Sequence, residues 1–465
     1  METKKGLTKG LRYFYGIGDL CFTLMSQVQD VFFNFFLTNI ALFSLPIATM
    51  ITTVTTAIDA ALSWIYGAII NGSKPLKWGR YRSWLLITPW IVPFIYAFKF
   101  AVVGSGAVSV IVIIAAGVIS SIIWNFGYVA NMALIPMVGR TPQDRAQLSA
   151  TRATYNRAAS MLFSYMGLPL ANLLAVIVTE QYKFAALAFV LGIIAAVGYN
   201  IHFKLTAGYE LTAEEEKQLQ RSETAPKKEK VSAGAMAKSL FQNGPLLCLI
   251  LAEMTRWMAN FVILGCVMYY FTYVAQNLAL LATYMLISNL ICMIGTFTSK
   301  YLVGAMGTKR GFIFAYLLMG ASLIAGRIFY LKPMLVILFM SIAQYGYGCI
   351  YSLSPTMFAD AGIYAEWKTG EDASGFIMGL GNVPLKVALV LRGLVINGVL
   401  AAIHFNASLA VEQTTPAIMS GISSVLLLIP GAALLVGALI LIFGFRLTKE
   451  QIEKMSAEIQ TRKTA

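Results

Sequence analysis

The chain has 465 residues, of which 58% are apolar and only 12% are charged. An ordinary soluble domain carries about 25% charged residues, so the charged surface needed to cover a soluble core of this length is missing. The formal net charge of +14 would raise nucleic acid for a soluble protein. Here the basic residues sit between long apolar runs, where they set orientation in a membrane.

A membrane-spanning helix needs about 20 predominantly apolar residues. Such blocks predict spans near 11–40, 46–71, 83–104, 106–136, 149–179, 182–204, 240–273, 279–303, 310–331, 333–360, 374–404 and 416–446. The expected fold class is an all-α polytopic membrane protein with twelve transmembrane helices. Six spans fall on each side of a polar segment, 206–238, which holds Glu214, Glu215, Glu216, Pro226 and the run Lys227-Lys228-Glu229-Lys230. It reads as a solvated linker with no chemistry of its own. The expected domains are therefore 1–205, the linker 206–238, 239–446, and a tail 447–465.

Basic residues alternate between connections. Lys4, Lys5, Lys9 and Arg12 open the chain; Lys74, Lys77, Arg80 and Arg82 follow span 2; Arg140 and Arg145 follow span 4; Lys300, Lys309 and Arg310 lie around the junction of spans 8 and 9. Lys449, Lys454, Arg462 and Lys463 end the chain, whereas the connections 43–46, 276–278 and 404–416 carry almost no Lys or Arg. Both termini and the linker are accordingly expected on the cytoplasmic side of the plasma (inner) membrane. Two six-helix bundles around a cytoplasmic linker is the layout of the major facilitator fold, whose halves are parallel repeats.

Ionisable groups cost about 2.5–3.5 kcal/mol each at mid-membrane, so they face cavities or partners. In span 1, Asp19, Thr23, Gln27, Asp30 and Asn34 recur every three or four residues and share one helix face. They are expected to line a cavity; a polar helix–helix seam is the alternative. Span 2 puts Thr52, Thr55, Asp59 and Ser63 on one stripe. Its oxygens suit a hard cation, and a lone carboxylate suits a proton. Span 5 opens with Arg152, Asn156 and Ser160 on one face, and an arginine there can grip carboxylates or several hydroxyls in fixed geometry. Span 7 spaces Glu253, Arg256 and Asn260 so that the first two can pair on one helix. Span 10 carries Gln344, Tyr347, Tyr351 and Ser354 in phase, and span 11 holds Asn382, Lys386 and Arg392. Lys386 needs a counter-charge, for which Asp59 is the first candidate.

Several stretches together resemble the glycoside–pentoside–hexuronide:cation symporter family, the melibiose-permease-like branch of the major facilitator superfamily. They are Tyr15-Gly16-Ile17-Gly18-Asp19-Leu20, the loop Lys77-Trp78-Gly79-Arg80-Tyr81-Arg82-Ser83-Trp84, and Arg145, Leu148 and Arg152. To these add Tyr269-Tyr270-Phe271 and the stretch from Ala359-Asp360-Ala361 through Glu366-Trp367-Lys368-Thr369-Gly370, with Lys386 beyond. The resemblance covers essentially the whole chain. It departs from the family in span 2, where one of two carboxylates is replaced by Ser63 and an Asn by Leu62. The family's sugar-gripping Asp of span 1 falls on Thr23, its span-4 Asp near Tyr128, its span-10 Trp on Tyr351, and a Gln-Thr pair on Gly381-Asn382.

The resemblance implies a secondary active transporter, not an enzyme, importing a glycoside or sugar acid together with a proton or sodium ion by alternating access. On this reading Asp59, Thr55, Ser63 and Lys386 couple the cation. Asp19, Thr23, Gln27, Asp30, Tyr128, Arg152, Asn156, Asn260, Tyr351 and Asn382 contact substrate. Lys77, Arg80, Arg82, Arg145, Asp360, Glu366 and Lys368 form a cytoplasmic gate. Expected partners are the small-molecule substrate and membrane lipid. No nucleic acid, cofactor or bound metal is expected, and the chain is expected to act as a monomer. Other readings are a carrier of a larger amphiphile such as a steroid or lipid, an uncoupled facilitator, and a non-transporting membrane sensor.

Overall fold

The computed structural model describes residues 7–72, 76–104, 106–139, 142–210, 243–370, 377, 380–406 and 411–464. Among them the only β pairing is an isolated bridge between Leu76 and Gly79. Packing divides the chain into two compact units, Met1–Lys227 and Lys228–Ala465.

The first unit contains α1 (Lys9–Phe14), α2 (Ile17–Phe35), α3 (Leu45–Gly72), α4 (Arg82–Ile87), α5 (Val92–Phe98), α6 (Ala107–Ala133), α7 (Ile135–Val138), α8 (Pro142–Val178) and α9 (Lys183–Leu205). Here α2 packs on α8 and α9, α3 on α6, and α5 on α6 and α9. The second contains α10 (Gly244–Tyr269), α11 (Ala279–Met306), α12 (Thr308–Ile328), α13 (Pro333–Thr369), α14 (Val383–Ala402), α15 (Pro416–Ser423), α16 (Ile429–Gly444) and α17 (Lys449–Thr464). In it α13 packs on α11 and α12, and α10 on α14 and α16.

Among the described residues, 11 helices are long and apolar enough to cross a membrane. The expected span missing from these, the third at 83–104, is broken: α4 gives way to a 3-10 turn at Thr88–Trp90 and then to α5. Pro89 and Pro93 explain the break, because each lacks the N–H that an α-helix interior requires. Two other spans outrun their hydropathy. The helix α8 starts at Pro142, and α13 continues to Thr369, where Gly370 closes it in a left-handed conformation at φ 77°.

Apolar side chains also cover the outside. Val176 is 85% exposed and Phe443 70%, as expected of surfaces that face lipid rather than water. Inside the second unit, α11 and α13 approach through two glycines. A Cβ on Gly295 would collide with the backbone carbonyl of Tyr345, and one on Gly348 with that of Cys292. Small residues of this kind let membrane helices pack backbone to backbone.

The units carry a repeated backbone signature. Both α2 and α10 end in a π-helical turn, at Phe36–Ile40 and Tyr270–Val274. In the first turn Ala41 N–H donates to Phe36 O and Phe43 N–H to Leu37 O; in the second Ala275 N–H donates to Tyr270 O and Asn277 N–H to Phe271 O. The next residues, Leu42 (φ 55°) and Gln276 (φ 48°), are both left-handed, a cost that non-glycine residues bear only when the surrounding fold imposes it. Superposing the two turns by residue count places Asp19 and Glu253 at the same position of the repeat.

Candidate functional site

The polar stripe of α2 meets the polar stripe of α8 rung by rung. At the first rung Arg152 donates from Nε to Asp19 Oδ2 at 2.7 Å and from Nη2 to Asp19 Oδ1, while Asn131 Nδ2 of α6 adds a third donor at 3.1 Å. One turn on, Thr23 Oγ1 donates to Asn156 Oδ1 at 2.8 Å, and a further turn on, Gln27 Nε2 donates to Ser160 Oγ at 3.0 Å. Asp19 is wholly buried and Arg152 is 6% exposed. The arrangement follows from the sequence spacing, since both stripes advance by four residues and the helices run in parallel. At Asp19, Thr23 and Gln27 the polar face of α2 is thus hydrogen-bonded to α8 within the unit. A fork-to-fork arginine–carboxylate pair is among the strongest contacts available in such an interior. Asp30 is half-buried farther along α2.

Asp59 accepts a hydrogen bond from Asn125 Nδ2 of α6 at 2.7 Å. Thr55, one turn before it, is buried, and its hydroxyl donates to its own helix at Ile51 O, 2.7 Å away. Ser63 lies in α3, but its side chain is outside the described residues. Tyr128 stacks on Phe22 with ring centres 5.3 Å apart, next to a small pocket lined by Phe22, Met25, Trp124, Gly127 and Tyr199.

In the second unit Arg256 donates from Nε to Glu253 Oε2 at 3.0 Å and pairs with it again through Nη2. Both are buried, Tyr316 OH lies 3.4 Å from Glu253 Oε1, and the guanidinium sits over the rings of Trp257 at 4.3 Å and Tyr347 at 5.1 Å. Asn260 is half-buried one turn beyond Arg256, Tyr351 is 38% exposed, and Asn382 is exposed at the N-terminus of α14. Lys386 is half-buried and Arg392 buried on α14, the latter 5.8 Å from the ring of Phe261.

The expected gate residues are drawn from both units. Arg82 is buried and donates to Phe203 O at 2.8 Å, Trp78 O at 3.2 Å and Thr206 Oγ1 at 3.3 Å, while Lys77 is exposed over Trp78 and Arg80 is half-buried. Glu210 receives the backbone N–H groups of Tyr81 at 2.8 Å and Arg82 at 3.0 Å. Its side chain fills the space beside Gly79, whose φ of 114° folds the loop around it. Burial outweighs these donors and holds the Glu210 carboxyl above its usual range. Arg145 lies in α8 with its side chain outside the described residues.

Asp360, Glu366 and Lys368 lie along α13, with the Lys368 ammonium 5.7 Å from the ring of Tyr364. Around them, Trp367 Nε1 donates to Glu458 Oε2 at 2.6 Å and Arg462 Nη1 to Trp367 O at 3.0 Å. The expected tail is therefore an ordered helix, α17, packed on α13.

Sequence reasoning passed over Asn125, Asn131 and Glu210. The two asparagines are visible as isolated amides in an apolar run, a signal of a buried polar contact. Glu210 sat inside what reads as a linker without chemistry. Most of that linker, 211–242, lies outside the described residues.

Known proteins resemble the chain over its length. It is 23% identical over 455 residues to the "Putative sulfoquinovose importer" of Salmonella typhimurium, covering 97% of this chain and 92% of that one. It is 21% identical to the isoprimeverose transporter of Lactiplantibacillus pentosus, covering 84% and 80%. The crystal structure of a D-xylose–proton symporter shares the fold with a TM-score of 0.66 at 13% identity, covering 95% of this chain and 98% of that one. The family model described as MFS/sugar transport protein matches residues 14–449, so the chain belongs to that family: a multi-pass membrane transporter of the major facilitator fold.

Proposed function

We propose that this transporter imports a sugar acid or glycoside across the plasma membrane, coupled to a cation, with both termini in the cytoplasm. The observation that carries the reading is the ladder Asp19–Arg152, Thr23–Asn156 and Gln27–Ser160. A three-rung polar seam is more than helix packing in hydrocarbon requires. Carboxylate, guanidinium, amide and hydroxyl groups that exchange hydrogen bonds with one another can exchange them with a ring of hydroxyls. Arg152 has the fork that a carboxylate or sulfonate takes, and presents it to a substrate on release from Asp19. The Salmonella relative, named for a sulfonated sugar, supports an acidic substrate.

Asp59 supports proton coupling. It is a single carboxylate beside an amide N–H donor, and the neighbouring Thr55 hydroxyl is turned to its own backbone. Sodium would call for several oxygen ligands around it. Lys386 keeps its coupling role on the family resemblance alone.

The test is uptake by proteoliposomes of labelled methyl hexuronides, sulfonated sugars and neutral methyl glycosides. Saturable uptake of an acidic sugar is expected, with Arg152→Lys raising its half-saturation concentration about tenfold through loss of the bidentate fork. Absence of saturable uptake for every sugar contradicts the reading.

A further inference from the structure

We infer that the second unit carries its own sugar-hydroxyl subsite on α10, built from Arg256 Nη1 and Trp257 Nε1 and held in place by Glu253. The inference rests on the sugar-transport reading and assigns it a group of residues outside the α2–α8 ladder.

Two independent observations converge on this place. The first is a pair of unmatched donors. Arg256 uses Nε and Nη2 on Glu253, but its Nη1 is buried with no hydrogen-bond partner, and so is the indole N–H of the next residue, Trp257. The guanidinium carbon stands 4.3 Å from the centre of the Trp257 ring, so both donors belong to one cluster, with Tyr347 on its flank. A buried donor left without an acceptor costs free energy that an apolar side chain of the same shape would avoid. Together they call for a molecule that brings acceptor oxygens.

The second observation is positional. Glu253 stands to the π turn of α10 as Asp19 stands to the π turn of α2. Each unit thus holds a buried carboxylate paired with an arginine at the same level of the repeat, Asp19 with Arg152 and Glu253 with Arg256. In the first unit Arg152 Nη1 lies against Met132 Sδ; in the second the same atom of Arg256 is left over.

The charge of the cluster selects the ligand group. Glu253 already neutralises Arg256, so the spare N–H groups suit neutral oxygens better than a second anion. Hydroxyl and ring oxygens of a pyranose have that character. The acidic end of the substrate has no role in this subsite.

Trp257→Phe removes the indole N–H and keeps the ring. Isothermal titration of the full-length protein with methyl glycosides and methyl hexuronides, together with its melting temperature, tests the inference. About tenfold weaker sugar binding is expected, the usual scale for one lost hydrogen bond, with a melting temperature unchanged or raised because an unmatched buried donor is gone. Arg256→Lys, which keeps a cation opposite Glu253 and deletes Nη1, should weaken binding in the same direction. A parent that binds sugar while Trp257→Phe binds it equally well overturns the subsite and leaves the sugar-transport reading standing. A lower melting temperature in Trp257→Phe with undiminished affinity for sugar overturns it too, since the N–H would then have a structural partner. A parent that binds no sugar in the panel removes both.

Discussion

Asp19 and Glu253 stand at the same distance before the π turns that end α2 and α10, and each is buried against an arginine of its own unit. The two pairs differ in how they are completed. Arg152 reaches Asp19 from another helix, so that pair also fixes α2 to α8, whereas Arg256 is three residues from Glu253 on the same helix.

Breaking the first pair leaves a buried, uncompensated charge. Asp19→Asn should cost about 3–5 kcal/mol of stability and abolish transport. Replacing both partners with leucine should recover most of the stability, because two apolar groups of similar shape avoid the desolvation cost, while transport stays lost. Thermal unfolding and sugar uptake of the single and double variants check this. Equal destabilisation in both would mean that the pair contributes packing rather than charge.

The loop 76–82 owes its shape to Glu210. Glu210→Ala should expose the backbone N–H groups of Tyr81 and Arg82 and loosen Arg82 from Phe203 O, making the loop accessible to limited proteolysis. The carboxyl has a folded pKa raised above its ordinary value of 4.5, so the folded protein holds this proton more tightly than the unfolded chain. Its contribution to stability is then full below 4.5 and declines as pH rises through the raised value. Melting temperature against pH should show that decline in the parent and a shallower profile in Glu210→Gln.

Gly348 is a backbone contact point. A methyl group there would press on the carbonyl of Cys292 and stand 2.9 Å from the Thr296 nitrogen, atoms that cannot rotate away. Gly348→Ala should cost about 1–3 kcal/mol by overpacking, while Gly398→Ala, with open space around its Cβ, should be tolerated. Melting temperatures of the two variants make the comparison.

The order and spacing of the membrane helices were legible because apolar runs of about twenty residues have few other uses. Helix ends were less so. Hydropathy stops at the membrane surface, but α8 and α13 keep their hydrogen bonds past it, so residues 142–148 and 361–369 belong to helices rather than loops. The opposite error came at Pro89 and Pro93, where an apolar run concealed a broken helix. Within the site, four-residue spacing was enough to put Asp19, Thr23 and Gln27 on one face. It could not say that Arg152, Asn156 and Ser160 faced them, because periodicity orients a helix and says nothing of its neighbour. Asn125 and Glu210 were hidden for the same reason: each acts through a partner more than sixty residues away in sequence.

Coupling through Asp59 is the claim most directly open to measurement. Proteoliposomes holding the parent protein or Asp59→Asn are given a labelled substrate and an inward proton gradient. The parent is expected to accumulate substrate above the external concentration, and Asp59→Asn only to equilibrate it, with exchange across a substrate gradient retained. Gradient-driven accumulation by Asp59→Asn at the level of the parent would contradict the account.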